Sequence, residues 1–190
     1  MNRRQAISRV ALIMGGSILG AELFLSGCKA KTASASALFS DTDVSFLDGI
    51  AETILPATDT PGAKEAKVGE FMARIVQDCY EEPEQAVFLG GMKLIDGHCM
   101  DRYSQPFAKC TPEQRLELLT ELDLEQLAYQ DQEEKKPSEP PHYFRMMKEL
   151  TMWGFFSSEV GATKVLRYLE VPGRYDGCAD YKKGEKAWAT

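Results

Sequence analysis

Glu149–Cys178, ELTMWGFFSSEVGATKVLRYLEVPGRYDGC, is the stretch on which the reading of this chain turns. With the residues just before it, His142–Phe156 holds Tyr143, Phe144, Met146, Met147, Leu150, Met152, Trp153, Phe155 and Phe156. That is too many large apolar groups for one narrow stripe, so a helix here is central or covered on more than one side. Two readings stay open: a buried core helix, or a partly exposed docking face of the kind where Trp, Met and Phe are enriched. Ser157 or Ser158 is placed to cap a following helix that runs to about Leu166, with Glu159 favourable in its first turn. Gly161 within that helix predicts close packing against something large. Val171-Pro172-Gly173 ends it, and a compact loop with Arg174, Tyr175, Asp176 and Cys178 follows. The stretch has no nucleophile–base pair, no metal-ligand spacing and no phosphate loop. Trp188, in a polar tail, is an anchor either to a partner or to the domain itself.

Upstream, the periodicity is helical throughout. A helix beginning near Asp41, capped by Thr42 or Asp43, lines up Val44, Leu47, Ile50, Ala51 and Ile54 and ends at Pro56. Ala57–Gly62, ATDTPG, is a turn. Ala66–Tyr80 repeats Val68, Phe71, Met72, Ile75, Val76 and Cys79 at spacings of three and four. After Pro83, a third pattern takes Ala86, Phe88, Leu89, Met92, Leu94 and Ile95 toward Cys99, and Gly90-Gly91 inside it predicts a bend or a close backbone contact. Thr111-Pro112-Glu113-Gln114 is a capping-box start for a helix to about Tyr129, with Leu116, Leu118, Leu119, Leu122, Leu124 and Leu127 as its apolar positions. Its carboxylates Glu117, Glu121, Asp123 and Glu125 read as a solvated face, and Glu52 reads as a surface position. Asp131–Pro141, DQEEKKPSEPP, is an exposed loop. The expected fold is therefore all-α, about five to six helices with a long loop before the C-terminal ones.

The first residues belong to targeting rather than to the fold. Arg3 and Arg4 open a basic head, Val10–Leu25 is an interrupted apolar run, and Leu25-Ser26-Gly27-Cys28 resembles a bacterial lipobox. Cleavage before Cys28 and lipid attachment to it are the expectation. The arginine pair resembles a twin-arginine export signal, the route for proteins that fold before crossing a membrane, although Asn2 and Gln5-Ala6-Ile7 depart from its usual flanks. Residues 1–27 thus read as a signal peptide, 28–40 as a lipidated Cys and flexible tether, and 41–190 as the helical domain. The location this implies is lipid-anchored on the periplasmic side, at the outer rather than the inner membrane, because Lys29 and not Asp follows the Cys. With 22 Lys and Arg against 29 Asp and Glu, the formal net charge is -7. The only dense basic cluster lies in the signal, which argues against a nucleic-acid partner.

Two histidines and five cysteines are the remaining chemistry. His98 and Cys99 are adjacent, so on a helix they point about 100° apart and form no dyad by themselves. Zinc would need further ligands, and Cys110 and His142 stand at no recognisable spacing for it. With Cys28 lipidated, Cys79, Cys99, Cys110 and Cys178 form an even set with three complete pairings, among which the sequence does not choose. A Cys99–Cys110 bridge would staple the loop DRYSQPFAK. Cys79, on an apolar face, reads as a buried small hydrophobe.

The export-like start, FLDGIAETILPATDTPG at Phe46–Gly62 and the Glu149–Cys178 phrase together resemble the small third subunit of membrane-associated gluconate 2-dehydrogenase and related sugar dehydrogenases. They look especially like the lipoprotein branch of that family in Bacteroidetes-type bacteria. The resemblance implies a non-catalytic, all-helical accessory subunit without a cofactor of its own. It implies pairing with a large FAD-containing flavoprotein of the glucose-methanol-choline (GMC) type, and in some systems a cytochrome c subunit. Trp153, Phe155, Phe156, Gly161, Arg174 and Tyr175 are then the suspected partner interface. The chain has neither a Gly-x-Gly-x-x-Gly dinucleotide turn nor a Cys-x-x-Cys-His haem site. The alternative reading is a free-standing periplasmic helical lipoprotein with a binding or structural role; a catalyst built on His98 or a free thiol is the third.

Overall fold

The computed structural model describes Asn2 and residues 38–131, 140–171, 173, 177, 178, 180 and 182–189. Arg3, Arg4 and Cys28, most of the tether, the middle of the charged loop, and Arg174 and Tyr175 lie outside the described residues.

Five α-helices make the body: α1 (Asp41–Ile54), α2 (Val68–Cys79), α3 (Glu82–Tyr103), α4 (Pro112–Gln130) and α5 (Tyr143–Ser157). A 3-10 turn, Phe107–Lys109, leads into α4, and a π turn, Gly161–Val165, follows α5. The described residues hold no strand, only an isolated parallel bridge between Arg167 and Trp188, and none of their helices is long and apolar enough to cross a membrane. The all-α expectation holds.

Local chemistry sets the helix starts. Ser40, not Thr42 or Asp43, caps α1: its Oγ accepts from Asp43 N at 3.3 Å while the Asp43 carboxylate accepts from Ser40 N at 2.8 Å. Those bonds from Ser40 hold the Asp43 carboxyl below its usual range. The helix begins at Asp41, as expected, and the residues just before it also pack. Phe39 is buried edge-on to Phe88, with ring centroids 6.1 Å apart, and Leu38 N donates to Gln77 Oε1 at 3.2 Å. Thr111, Pro112 and Gln114 open α4 as their spacing predicts.

α5 packs against each of the other four α-helices and the π turn. It buries Tyr143, Phe144, Met146, Met147, Leu150, Thr151, Gly154 and Phe155. Thr151 is satisfied inside the helix, its hydroxyl donating to Met147 O at 2.8 Å. Glycines on facing helices make room. A Cβ on Gly91 of α3 would overlap the Tyr143 ring, whereas Gly90 beside it faces open space. Of the two effects predicted for Gly90-Gly91, close contact therefore belongs to Gly91. Gly154 of α5 likewise admits the Phe71 ring of α2, which lies 2.6 Å from where its Cβ would stand.

Several expected core positions face outward. Cys79, Ala86, Leu94, Leu116, Leu124 and Leu127 are exposed, and Phe71 and Ile75 are half-buried. Helix α4 explains the leucines: Leu118, Leu119, Leu122 and Gln126 form its buried face, and Leu116, Leu124 and Leu127 fall on the opposite side. The stretch after Cys99, expected as a loop, continues α3 for a further turn, stops at Ser104 in the left-handed region (φ 55°), and then delivers a fully buried Phe107.

Candidate docking surface

The Phe46–Gly62 phrase is a latch. Asp48 and Glu52 stand one turn apart on α1, the spacing at which two carboxylates share a face. Both accept hydrogen bonds from backbone amides. Asp48 Oδ1 accepts from Gly69 N at 2.8 Å, satisfying one of the unpaired amides at the start of α2. A Cβ on Gly69 would lie 2.6 Å from Asp48 Oδ1 and from Val44 O, so a glycine is required for α2 to approach α1 so closely. Glu52 Oε1 accepts from Ala57 N at 2.9 Å and Oε2 from Lys64 N at 2.8 Å, closing the ATDTPG turn over the end of α1. A surface reading of Glu52 thus misses its role, and the sequence reading gives Asp48 no role at all. The available signal is an acidic i, i+4 pair immediately before a Pro- and Gly-bearing turn.

The Glu149–Cys178 phrase divides. Phe155 is 3% exposed and Gly161 is buried, so both are packed within the body. Gly161 sits on the chain itself: a Cβ there would overlap Phe155 O, and Ser158 Oγ accepts from Gly161 N at 3.0 Å. The predicted large neighbour is the backbone turn at the end of α5. The helix after Ser158 is correspondingly short, closing in an i to i−5 bond from Leu166 N to Gly161 O at 2.9 Å. Phe156 is half-buried, edge-on to Phe155. Trp153 is 56% exposed, its ring edge-on to Phe71 at 5.2 Å, with exposed Met152 beside it in sequence. The tail returns onto the domain: Arg167 stacks over the Trp188 ring at 3.7 Å and pairs with Glu185 at 2.6 Å.

A second apolar surface lies along α4. Two shallow clefts, of about 280 and 230 Å3, both touch Thr53 and Leu116. The first is floored by Gly49, Glu52 and Pro56 of the latch segment, and the second by Ile54, Leu119 and Phe144. Lys148 of α5 and Asp123 of α4 close one rim with an ion pair at 2.6 and 2.8 Å. The clefts therefore run from the latch segment past Leu116 to Leu119 and the Asp123–Lys148 ion pair, and Leu124 and Leu127 do not line them.

The reactive side chains are placed as structural members. The His142 ring caps α5 by accepting from Phe144 N at 3.3 Å and lies 3.6 Å from Glu125. His98 is half-buried, and nearby Glu121 is held below its usual range chiefly by its hydrogen bond with Arg102. Cys99 is fully buried, and burial, followed by a hydrogen bond with Cys110, pushes its thiol up to about 12. His98 and Cys99 do not converge. Among the described residues no three His, Cys, Asp or Glu side chains gather as a metal-ligand set.

Comparison with family models gives a match over residues 41–173 to the family described as gluconate 2-dehydrogenase subunit 3. Comparison with curated proteins and with solved structures gives no match. The matched span begins at the first residue of α1, contains all five helices and both apolar surfaces, and ends at Gly173.

Proposed function

The chain belongs to the gluconate 2-dehydrogenase subunit 3 family, and on that premise we propose that it binds and stabilises a large FAD-dependent oxidoreductase of the GMC type acting on sugars or polyols. The single observation that carries this reading is the family match across the whole helical body. The placement of reactive groups supports it. Asp48 and Glu52 are held by backbone amides, Asp123 by Lys148, and the Cys99 thiol is kept protonated by burial. In this reading the companion carries the FAD and removes hydride from the substrate, and this chain supplies an apolar docking surface at Trp153 or along α4. A cytochrome c subunit takes the electrons onward where the complex has one.

The same proposal extends to location. Arg3 and Arg4 direct export of the folded chain with its companion, and Cys28 carries the lipid anchor of a Bacteroidetes-type lipoprotein at the periplasmic face of the outer membrane. A cofactor-loaded companion without its own signal would then cross only while bound to this chain.

Purification from native membranes tests the core of the proposal. A stoichiometric yellow companion with the flavin absorbance of FAD is the expected result, and a consistently solitary chain overturns it. Export is tested separately by replacing Arg3 and Arg4 with Lys: the companion should stay in the cytoplasm, and its normal arrival in the periplasm would refute the carrier role. Loss of the membrane fraction on Cys28→Ser checks the anchor.

A further inference from the structure

We infer that the outer side of α4 takes a basic amphipathic surface of the companion, with apolar side chains seated on its leucines and Lys or Arg side chains on its carboxylates. The inference rests on the companion proposed above and names the face and the chemistry by which it docks. Exposed residues of α4 come in neighbouring couples that recur every four positions: Leu116 and Glu117, Thr120 and Glu121, Leu124 and Glu125. A step of four on a helix returns to nearly the same face, so the couples resolve into two parallel rows. One row is Leu116, Thr120 and Leu124, extended by exposed Leu127; the other is Glu113, Glu117, Glu121 and Glu125. From Leu116 to Leu127 the uncharged row is about 16 Å long. At one end of it the cleft of about 230 Å3, lined by Leu116 and Thr120 with Lys148 of α5, offers a seat for one large side chain. Because α4 packs chiefly against α1 and α5, both rows stay on its open side.

Charge selects the occupant. Like charges four apart on a helix repel, so the carboxylate row works against the helix that carries it. Among the described residues Arg102 is the one Lys or Arg that meets this row, at Glu121. Glu117 accepts from the neutral Tyr103 hydroxyl at 2.9 Å, and Glu125 lies 3.6 Å from His142, which is cationic only when protonated. Four carboxylates against one guanidinium leave the row three charges negative. A second copy of this chain would bring the same row, and an anionic bilayer would bring its phosphates, so both are repelled. Lys and Arg beside apolar residues fit instead, as charged positions flanking an apolar seam set partner choice between paired helices. The Trp153 surface has no such imbalance: the ring is edge-on to Phe71, and nearby Glu149 is paired with Arg145 at 2.6 Å.

The full chain, tagged and expressed in its own host, is purified from membranes, and the flavin absorbance recovered per chain is read for the parent and three variants. Glu113→Lys/Glu117→Lys/Glu125→Lys should lower it about tenfold or more, because like charges would then face each other across the contact. Glu70→Lys/Asp78→Lys/Asp101→Lys makes the same change in net charge at exposed positions of α2 and α3 and should retain the companion. Glu113→Gln/Glu117→Gln/Glu125→Gln guards against a folding defect, since an amide oxygen can still accept from Tyr103. It should melt with the parent, recover less companion than the parent, and release it with less dependence on salt in the wash. Recovery of the companion at the parent level by the α4 reversal, or equal loss from both reversals, overturns the inference. So does a companion-free parent chain that sediments as a dimer and is split by Leu124→Gln, which would give the face to a second copy. A parent chain that brings no flavoprotein at all defeats the companion itself; a flavoprotein held equally by parent and reversed α4 defeats only the face assigned here.

Discussion

Helices α4 and α5 are both rich in large apolar residues, yet they use them in opposite ways. In α5 nearly every large apolar group turns inward, because four helices and the π turn surround it, and Trp153 and Met152 are the ones left outside. In α4 the leucines divide: Leu118, Leu119 and Leu122 enter the core, while Leu116, Leu124 and Leu127 face out, with Leu124 64% exposed. A count of apolar residues does not separate these cases. What separates them is how many neighbours each helix has, a property of topology rather than of its own sequence. The comparison also assigns roles: α5 is where the body is held together, and the outer side of α4 carries exposed leucines, interspersed with the exposed carboxylates Glu117, Glu121 and Glu125, that the fold itself does not bury.

The sharpest way to break this comparison is to truncate one leucine from each helix. Leu150 on α5 is 3% exposed, so Leu150→Ala should cost about 3 kcal/mol through lost burial and the cavity left behind. Leu124→Ala on α4 should stay within about 0.5 kcal/mol. Urea unfolding of the two variants beside the parent chain is the measurement. Equal losses would mean that α4 is as enclosed as α5.

A smaller effect probes how α5 is admitted to its place. Gly91→Ala would push a methyl into the Tyr143 ring, and the shift required should cost about 1–3 kcal/mol. Gly90→Ala, one residue away and facing open space, should instead stabilise α3 by about 0.5–1 kcal/mol, since Ala is the better helix former. Opposite signs at adjacent glycines, read from melting curves, would confirm that the close approach is confined to one of them.

How much of this was legible in the sequence follows the same division. The caps at Thr111 and the helical spans from Val68 and from Tyr143 were readable because they depend on local periodicity and local hydrogen bonds. The crowding of apolar groups around Leu150 indicated a covered helix for the same reason. The outward leucines of α4 and exposed Cys79 were not readable, since both patterns fit an apolar stripe and only the packing of neighbours decides which residues are covered. Asp48 and Phe107 were missed because their partners, Gly69 and Asp96, lie 21 and 11 residues away. Gly161 was recognisable as a close-contact glycine, but its neighbour, Phe155 O, is backbone and leaves no mark in the sequence.

The hub should also have a pH signature. Burial, then the charge of Glu125, pushes the Tyr143 hydroxyl up to about 12, against an ordinary value of 10.0. In the unfolded chain it ionises first, so between about pH 10 and 12 the unfolded state binds fewer protons and stability falls as pH rises. Below about pH 10 the contribution is fully present. Tyr143→Phe should therefore leave stability at about pH 7 little changed and flatten the alkaline fall above about pH 10, with Cys99, raised in the same direction, responsible for part of what remains. Denaturant titrations at stepped alkaline pH would show an unchanged slope if Tyr143 were not enclosed.

The smallest effect on the fold tests the other half of the comparison. Leu116→Gln/Leu124→Gln/Leu127→Gln removes the apolar outer side of α4 without touching a buried residue, and Trp153→Ala removes the exposed ring of α5. Both variants should unfold within about 1 kcal/mol of the parent, so that any loss of the yellow companion on purification cannot be blamed on misfolding. Interface energy concentrates in a few large apolar anchors, so the surface that holds the companion should lose it about tenfold or more when altered, while the other variant retains it. Retention by α4-altered protein and loss by Trp153→Ala would place docking on the hub helix itself. The reverse would assign it to the outer leucines of α4, of which Leu116 also lines the clefts beside the latch segment. If both variants hold the companion undiminished, neither apolar surface is the interface, and the exposure of these leucines needs another cause.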